Sequence, residues 1–360
     1  MTVSTFKGKA IKRKRDFSKF LNILRREGAQ NYLPFYEHVA SGGFISTRLG
    51  FDIEKIDRVK QKKEYWQAYA DFWLSLGYDC IPIEIPLKFG RVMGKDSEDH
   101  RGGAESEAGA CIFNMEDFEK LEWPDENNPI DLEPFEIVGK YMPEGVKIVG
   151  GVAAGPYEVA TIYLLGVMGL SYAMADQPAL VDAVFGKLKK LYAKADKLLA
   201  SMDVVGACRQ GDDLGFKTAT FMPPEFLRKH IFPIYQEMVN AAHGNNKPFI
   251  LHSCGQLEEV YEDLIKIGID GKHSFEDQIT PVWKFQEKYG KRITPLGGLD
   301  VNIICRGSEK ELRDYARSNI EKCFGEGKYW AFGTGNSLTN YMPVENYLTV
   351  LDEAIKITGS

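Results

Sequence analysis

The stretch Pro248-Phe249-Ile250-Leu251-His252-Ser253-Cys254-Gly255 is an apolar run of strand length that ends in an imidazole and, two residues on, a thiol. A helical stretch precedes it (224–242) and another follows (257–267), so it reads as a short buried strand set between two helices. Outward from there the same alternation recurs. Strand candidates are 32–36, 80–85, 147–152, 204–207, 248–252, 271–274, 293–297 and 329–332, with further helical stretches at 61–76, 179–201 and 309–323. Strands joined by helices imply a parallel sheet, and eight is the number that closes into a (β/α)8 TIM barrel. An open doubly wound sheet competes, but no Gly-x-Gly-x-x-Gly follows the first strand.

The domain organisation expected is one barrel over 31–360, preceded by a basic arm and an amphipathic helix over 1–30. Phe17, Phe20, Leu21, Ile23 and Leu24 make the helical stripe, and the lysines and arginines before it read most simply as a solvated arm. A long acidic insertion, about 94–134, follows the second strand candidate and would overhang the mouth, as a disordered loop or as a lid. The balance of 45 Lys+Arg against 51 Asp+Glu, net −6, argues against nucleic acid as the main partner. No apolar run reaches the roughly 18 residues of a membrane span. Six scattered cysteines without a Cys-x-x-Cys pair suit a reducing compartment, so a cytoplasmic location is expected.

In a parallel barrel, residues just beyond the strands converge on one rim, and the chemistry sits there. That rim would gather Glu37, His38, Glu84, Gly151, Asp212, Asp213, His252, Cys254, His273, Glu276, Asp277, Asp300 and Asn336. His252 and Cys254, two apart on a strand, point to one side and could share a cation such as zinc, given a further ligand. Alternatively His252 bonds a substrate or backbone group and Cys254 packs. The pair Asp212-Asp213 between glycines could raise one carboxyl pKa for general-acid work, or one aspartate could cap a turn. His273, near Glu276 and Asp277, is a second catalytic candidate or a structural histidine. Asp300 is a ligand anchor or a helix cap, and Gly333-Thr334-Gly335-Asn336-Ser337 a phosphate-type loop or a tight turn.

These motifs together resemble the uroporphyrinogen decarboxylase superfamily. The match rests on Gly211-Asp212-Asp213-Leu214-Gly215, Pro224-Glu225-Phe226-Leu227, His252-Ser253-Cys254-Gly255, Gly268-Ile269-Asp270-Gly271, Gly297-Gly298-Leu299-Asp300 and Pro343-Val344-Glu345-Asn346-Tyr347. Phe118-Glu119-Lys120-Leu121 with Trp123-Pro124-Asp125 adds an N-terminal echo. The resemblance implies a TIM barrel that is either a decarboxylase or a corrinoid-dependent methyltransferase. True decarboxylases carry an arginine-rich motif after the first strand, where this chain has Tyr36-Glu37-His38. A polycarboxylate would meet an acid there, so porphyrin decarboxylation is disfavoured.

Methyltransferases acting on coenzyme M resemble this chain at His252-x-Cys254 but add a cysteine ligand after the last strand, where Gly335-Asn336-Ser337 stands here. Ether-cleaving relatives use two glutamates and a histidine at a spacing met by Glu237, His252 and His273, the middle acid being replaced by histidine. The resemblance therefore implies a methyltransferase that moves a methyl group from a methylated small molecule, an aromatic methyl ether by preference, to the cobalt of a corrinoid protein. His252 and Cys254 would hold zinc, with Glu237 and His273 as further candidates. Asp212 or His273 would donate a proton, and His38, Glu84, Asp213, Asp300 and Asn336 would bind substrate. Partners implied are the corrinoid protein and the substrate, and a homodimer is left open. A decarboxylase of uroporphyrinogen or a smaller carboxylate, and a non-catalytic ligand-binding barrel, are the alternatives.

Overall fold

The computed structural model describes residues 10–89 and 109–359. Its centre is a parallel sheet of β1 (Cys80–Ile85), β2 (Lys147–Val152), β3 (Val205–Gly211), β4 (Phe249–His252), β5 (Gly271–His273) and β6 (Thr294–Pro295), hydrogen-bonded in chain order. The ring continues through single parallel bridges, Leu296 to Ala331 and Phe332 to Phe35. The architecture is the (β/α)8 barrel, but two of the eight expected strands, 32–36 and 329–332, are reduced to these bridges. Pro34 is the local reason: its carbonyl accepts the Phe332 N–H at 2.8 Å, but it has no N–H of its own with which to extend a ladder.

Helices cover the outside of the ring, among them Lys62–Ser75, Pro178–Ser201, Glu309–Cys323 and Val344–Thr358. The expected helix 224–242 runs as Pro224–Phe226, a wide π turn over Leu227–Ile231, and Phe232–His243. Pro233 lacks the amide that an α turn would need there, and the wider turn accommodates it.

The barrel interior has its own apolar cluster: Tyr36, Cys80, Val149, Ala207, Ile250, Leu296 and Ala331. Its amino-terminal end is plugged by the helix α1 (Phe17–Arg25), whose Phe17, Phe20, Ile23 and Leu24 join that cluster. Phe20 is fully buried, its ring stacked 5.7 Å from that of Tyr36. Of the basic arm, residues 1–9 lie outside the described residues, and two of the described side chains, Arg13 and Arg15, turn inward rather than to solvent. The Arg13 side chain is wholly buried, its guanidinium 3.8 Å from the Phe35 ring centroid and 3.8 Å from Asp79. Arg15 donates to the Leu74 carbonyl at 2.5 Å. Lys12 and Lys14 alternate with these two and stay exposed.

Of the acidic insertion, 94–108 lies outside the described residues, and 109–134 packs on the outer layer. The Cys111 and Ile112 amides both donate to the Leu164 carbonyl at 2.8 Å, and Lys187 holds Glu126 at 2.5 Å. No single helix among the described residues is long and apolar enough to cross a membrane.

Candidate active site at the carboxyl ends of the strands

Strand alternation decides which side chains meet. Cys80, Val149, Ala207 and Ile250 fill the barrel floor, and steps of two from them reach Glu84, Gly151, Arg209 and His252 at the other end. Register places Glu84 beside Gly151, Gly151 beside Arg209, and His252 beside His273. Gly151 has a packing reason: a Cβ there would lie 2.2 Å from the Arg209 carbonyl oxygen.

The His38 ring lies flat on that of His252, centroids 4.0 Å apart and planes 12° from parallel. Its Nδ1 is 3.0 Å from Arg209 Nη1 and its Nε2 is 3.0 Å from Glu84. A guanidinium only donates, so Nδ1 accepts and the ring proton sits on Nε2, facing the carboxylate. Arg209 also donates to the His38 carbonyl and lies 3.2 Å from Glu84. This arginine is completely buried, with its charge committed to its neighbours.

Beyond that layer three ligand-type atoms converge. His252 Nε2 is 3.6 Å from Asp213 Oδ1 and 3.5 Å from Cys254 Sγ, and the Cys254 amide donates to Asp213 Oδ1 at 2.8 Å. Asp213, His252 and Cys254 each place one ligand atom within 4.8 Å of the others. Asn336 Nδ2 donates to the same sulfur at 3.5 Å, and Ser274 Oγ lies 3.6 Å from it. Burial pushes the Cys254 thiol well up, and the Asp213 carboxylate adds to this, which favours the protonated sulfur.

Asp212 faces elsewhere. Its carboxylate accepts the Tyr157 and Glu158 amides at 3.2 and 3.0 Å and the Tyr235 hydroxyl at 2.7 Å. Burial raises it to about 7 against those hydrogen bonds, and it clamps the start of the helix Pro156–Glu158. Glu158 stands nearby with a strongly raised pKa, caused by burial first and then by Asp213 and Asp212. His273 is fully buried between His252 Nδ1 at 2.7 Å and the Thr334 carbonyl at 3.0 Å, and burial lowers it to about 3.

The structure brings His38, Glu84, Asp213, His252, Cys254, His273 and Asn336 together. It does not bring Glu237, which lies on the outer face of Phe232–His243 and pairs with Lys189 at 3.2 Å. The outer helix layer and the barrel mouth are different surfaces, so the spacing it shares with His252 and His273 is not a shared site. Asp300 is a helix cap, accepting the amides of Asn302 and Ile303 at the start of Val301–Arg306. The glycine loop at 333–337 has its amides in use: Thr334 donates to Glu37 and Gly335 to Leu299, which leaves no anion cradle at those two.

Four contributors escaped the sequence reading: Arg209, Glu158, Lys272 and Thr334. Arg209 was hidden because an apolar run was sought and β3 continues through Arg209-Gln210 to Gly211. Lys272 is fully buried, donates to the Ser274 carbonyl, and is brought down to about 8 by burial. With Gly255, Ser274 and Glu276 it lines a small cleft beside Cys254. Only alternation along β5 could have separated its side from that of His273.

The uroporphyrinogen decarboxylase family model matches residues 87–357. The chain belongs to the uroporphyrinogen decarboxylase family. No functionally curated protein matches the sequence. Among solved structures it is similar to a methyltransferase from Methanosarcina mazei, with a TM-score of 0.67 and 16% identity over 96% of this chain and 99% of that one. A B12-independent methionine synthase from a Shewanella species covers 64% of this chain and 68% of its own, at 15% identity and a TM-score of 0.43. In this member of the uroporphyrinogen decarboxylase family two acids meet the imidazoles at the mouth, Glu84 at His38 and Asp213 at His252.

Proposed function

We propose that this family member is a methyltransferase that moves a methyl group from an aromatic methyl ether to the cobalt of a corrinoid protein. The observation that carries the reading is the convergence of Asp213, His252 and Cys254 at the mouth. Three protein donors of O, N and S type match the catalytic class of zinc site, which keeps a fourth position for substrate. Asp213 takes the place of the missing cysteine after the last strand, where Asn336 meets Cys254 instead. A zinc ion held by these residues would supply Lewis acidity toward the ether oxygen.

The remaining residues bind, orient and hold protons. Tyr157, Phe221 and Phe216 stack in a row, centroids 6.4 and 5.4 Å apart, and offer an aromatic substrate a flat wall. Phe216 and Phe221 are about half exposed, at 46% and 53%. Burial and the neighbouring Asp213 and Asp212 raise the Glu158 carboxyl, which favours its protonated form and makes it the candidate to give a proton to the departing phenoxide oxygen. Asp212, whose oxygens are occupied by three donors, acts by holding the Glu158 backbone rather than by giving up a proton. When docked, the corrinoid supplies the nucleophile that accepts the methyl group. Arg209 is committed to Glu84 and His38, so a polycarboxylate substrate finds no answering charge from it, and this disfavours decarboxylation. All six cysteines are free thiols, which supports the cytoplasmic location included in the proposal.

The purified protein, loaded with zinc, is assayed with cob(I)alamin and a panel of methoxyphenols and methoxybenzoates, following phenol release. Turnover of at least one ether is expected. Full zinc loading with no demethylation of any ether, alongside decarboxylation of uroporphyrinogen, overturns the reading.

A further inference from the structure

Behind the metal-type cluster, a chain of hydrogen bonds runs from His252 through His273 and Thr334 to the buried carboxyl of Glu37. Tyr78 and Tyr347 share a hydrogen bond through their hydroxyls, and Tyr347 donates to Glu37 Oε1 at 2.8 Å. The same Glu37 accepts the Thr334 amide on Oε1 and meets the Thr334 hydroxyl through Oε2, both at 2.5 Å. Thr334 is thereby held by its amide and its side chain at once, and its carbonyl faces His273 Nε2 at 3.0 Å. Gly297 permits this approach: its φ of +67° suits glycine, and a Cβ there would lie 2.1 Å from the Thr334 oxygen and 2.7 Å from His273 Nε2.

A carbonyl only accepts, so His273 Nε2 carries a proton. The ring is fully buried, and neither of its nitrogens meets a carboxylate, so it stays neutral and its Nδ1 is an acceptor. That nitrogen is 2.7 Å from His252 Nδ1, which must therefore be the donor. His252 in turn presents the lone pair of Nε2 toward Cys254 and Asp213, on the side where a cation would sit. We infer that Glu37, Thr334 and His273 form a positioning relay that sets the tautomer of His252, with Nδ1 protonated and Nε2 available as a ligand. The inference rests on the proposed site at His252 but does not require that zinc be the ion bound there.

The test uses the metal-free full chain with 15N-labelled histidine, in which ring nitrogen shifts and couplings report tautomers directly. His252 is expected as the Nδ1–H form and His273 as the Nε2–H form, assigned by comparing His252→Ala and His273→Phe spectra with the parent. A His252 found with its proton on Nε2 in the unaltered protein overturns the relay. In His273→Phe the donor loses its acceptor, so His252 should become a tautomer mixture and zinc should bind about 10- to 100-fold more weakly. Glu37→Gln, which keeps an acceptor for the amide and a donor for the hydroxyl, should preserve the parent tautomers. Parent tautomers and parent zinc affinity in folded His273→Phe would count decisively against the relay. If the tautomers are as inferred while the protein takes up no zinc, the relay stands and the metal reading falls. The converse outcome separates them the other way.

Discussion

Glu37 is the residue at which burial and hydrogen bonding oppose each other most plainly. It is completely buried, and burial raises its carboxyl from 4.5 to about 7 despite the donors from Thr334 and Tyr347. The folded chain therefore holds this proton more tightly than the unfolded one. The sign follows: the Glu37 contribution to stability is greatest below about 4.5 and declines as pH rises through 7, by a total of about 3 kcal/mol. Glu37→Gln imitates the protonated carboxyl and does not titrate. Its unfolding free energy in urea, measured from pH 5 to pH 8, should fall less steeply than that of the parent, and parallel pH profiles would refute the assignment. The sequence marks Glu37 only as an acid in place of an arginine. Its neighbours Thr334 and Tyr347 lie about 300 residues away along the chain (|i−j| of 297 and 310), and no local pattern couples them.

Among elements, α1 shows how a readable pattern can have an unreadable address. Its apolar stripe is plain in the sequence, and Asp16 caps it by accepting the Ser18 amide at 3.0 Å. Nothing local says that the stripe closes the floor of the barrel, because the surface it meets is assembled from strands spread across the chain. Phe20→Ala would open a cavity between α1 and the ring. A loss of about 3–5 kcal/mol is expected in chemical denaturation, and a loss below about 1 kcal/mol would show that α1 is not a structural plug. The strands were legible in proportion to their apolar content. β1 and β2 match the expected limits of 80–85 and 147–152, whereas β3 extends through a buried arginine that reads as the end of a strand. The two end runs reduce to single bridges for lack of donors at Pro34 and of ladder length, which a propensity argument cannot see.

At the scale of the whole molecule, ring closure turns distant polar tips into one site, and it also rejects a false member. Glu237 has the right spacing and the wrong surface, whereas Asp213, one of two adjacent aspartates in its motif, stands 3.6 Å from His252. Asp213→Asn should therefore lower zinc affinity by at least tenfold, with Glu237→Gln indistinguishable from the parent in equilibrium dialysis. The reverse pattern would remove Asp213 from the site. What the sequence by itself determined was the alternation of strand and helix, the family motifs, and the presence of His252, Cys254 and the paired aspartates at strand ends. The alternation follows from local periodicity, and the motifs from a resemblance carried by short runs of consecutive residues. The tertiary structure alone decided which aspartate faces the imidazole, which arginine is neutralised in the interior, and which carbonyl orients His273. Those outcomes depend on register and side-chain direction across a closed ring, and such distances exist only once the ends of the sheet have met.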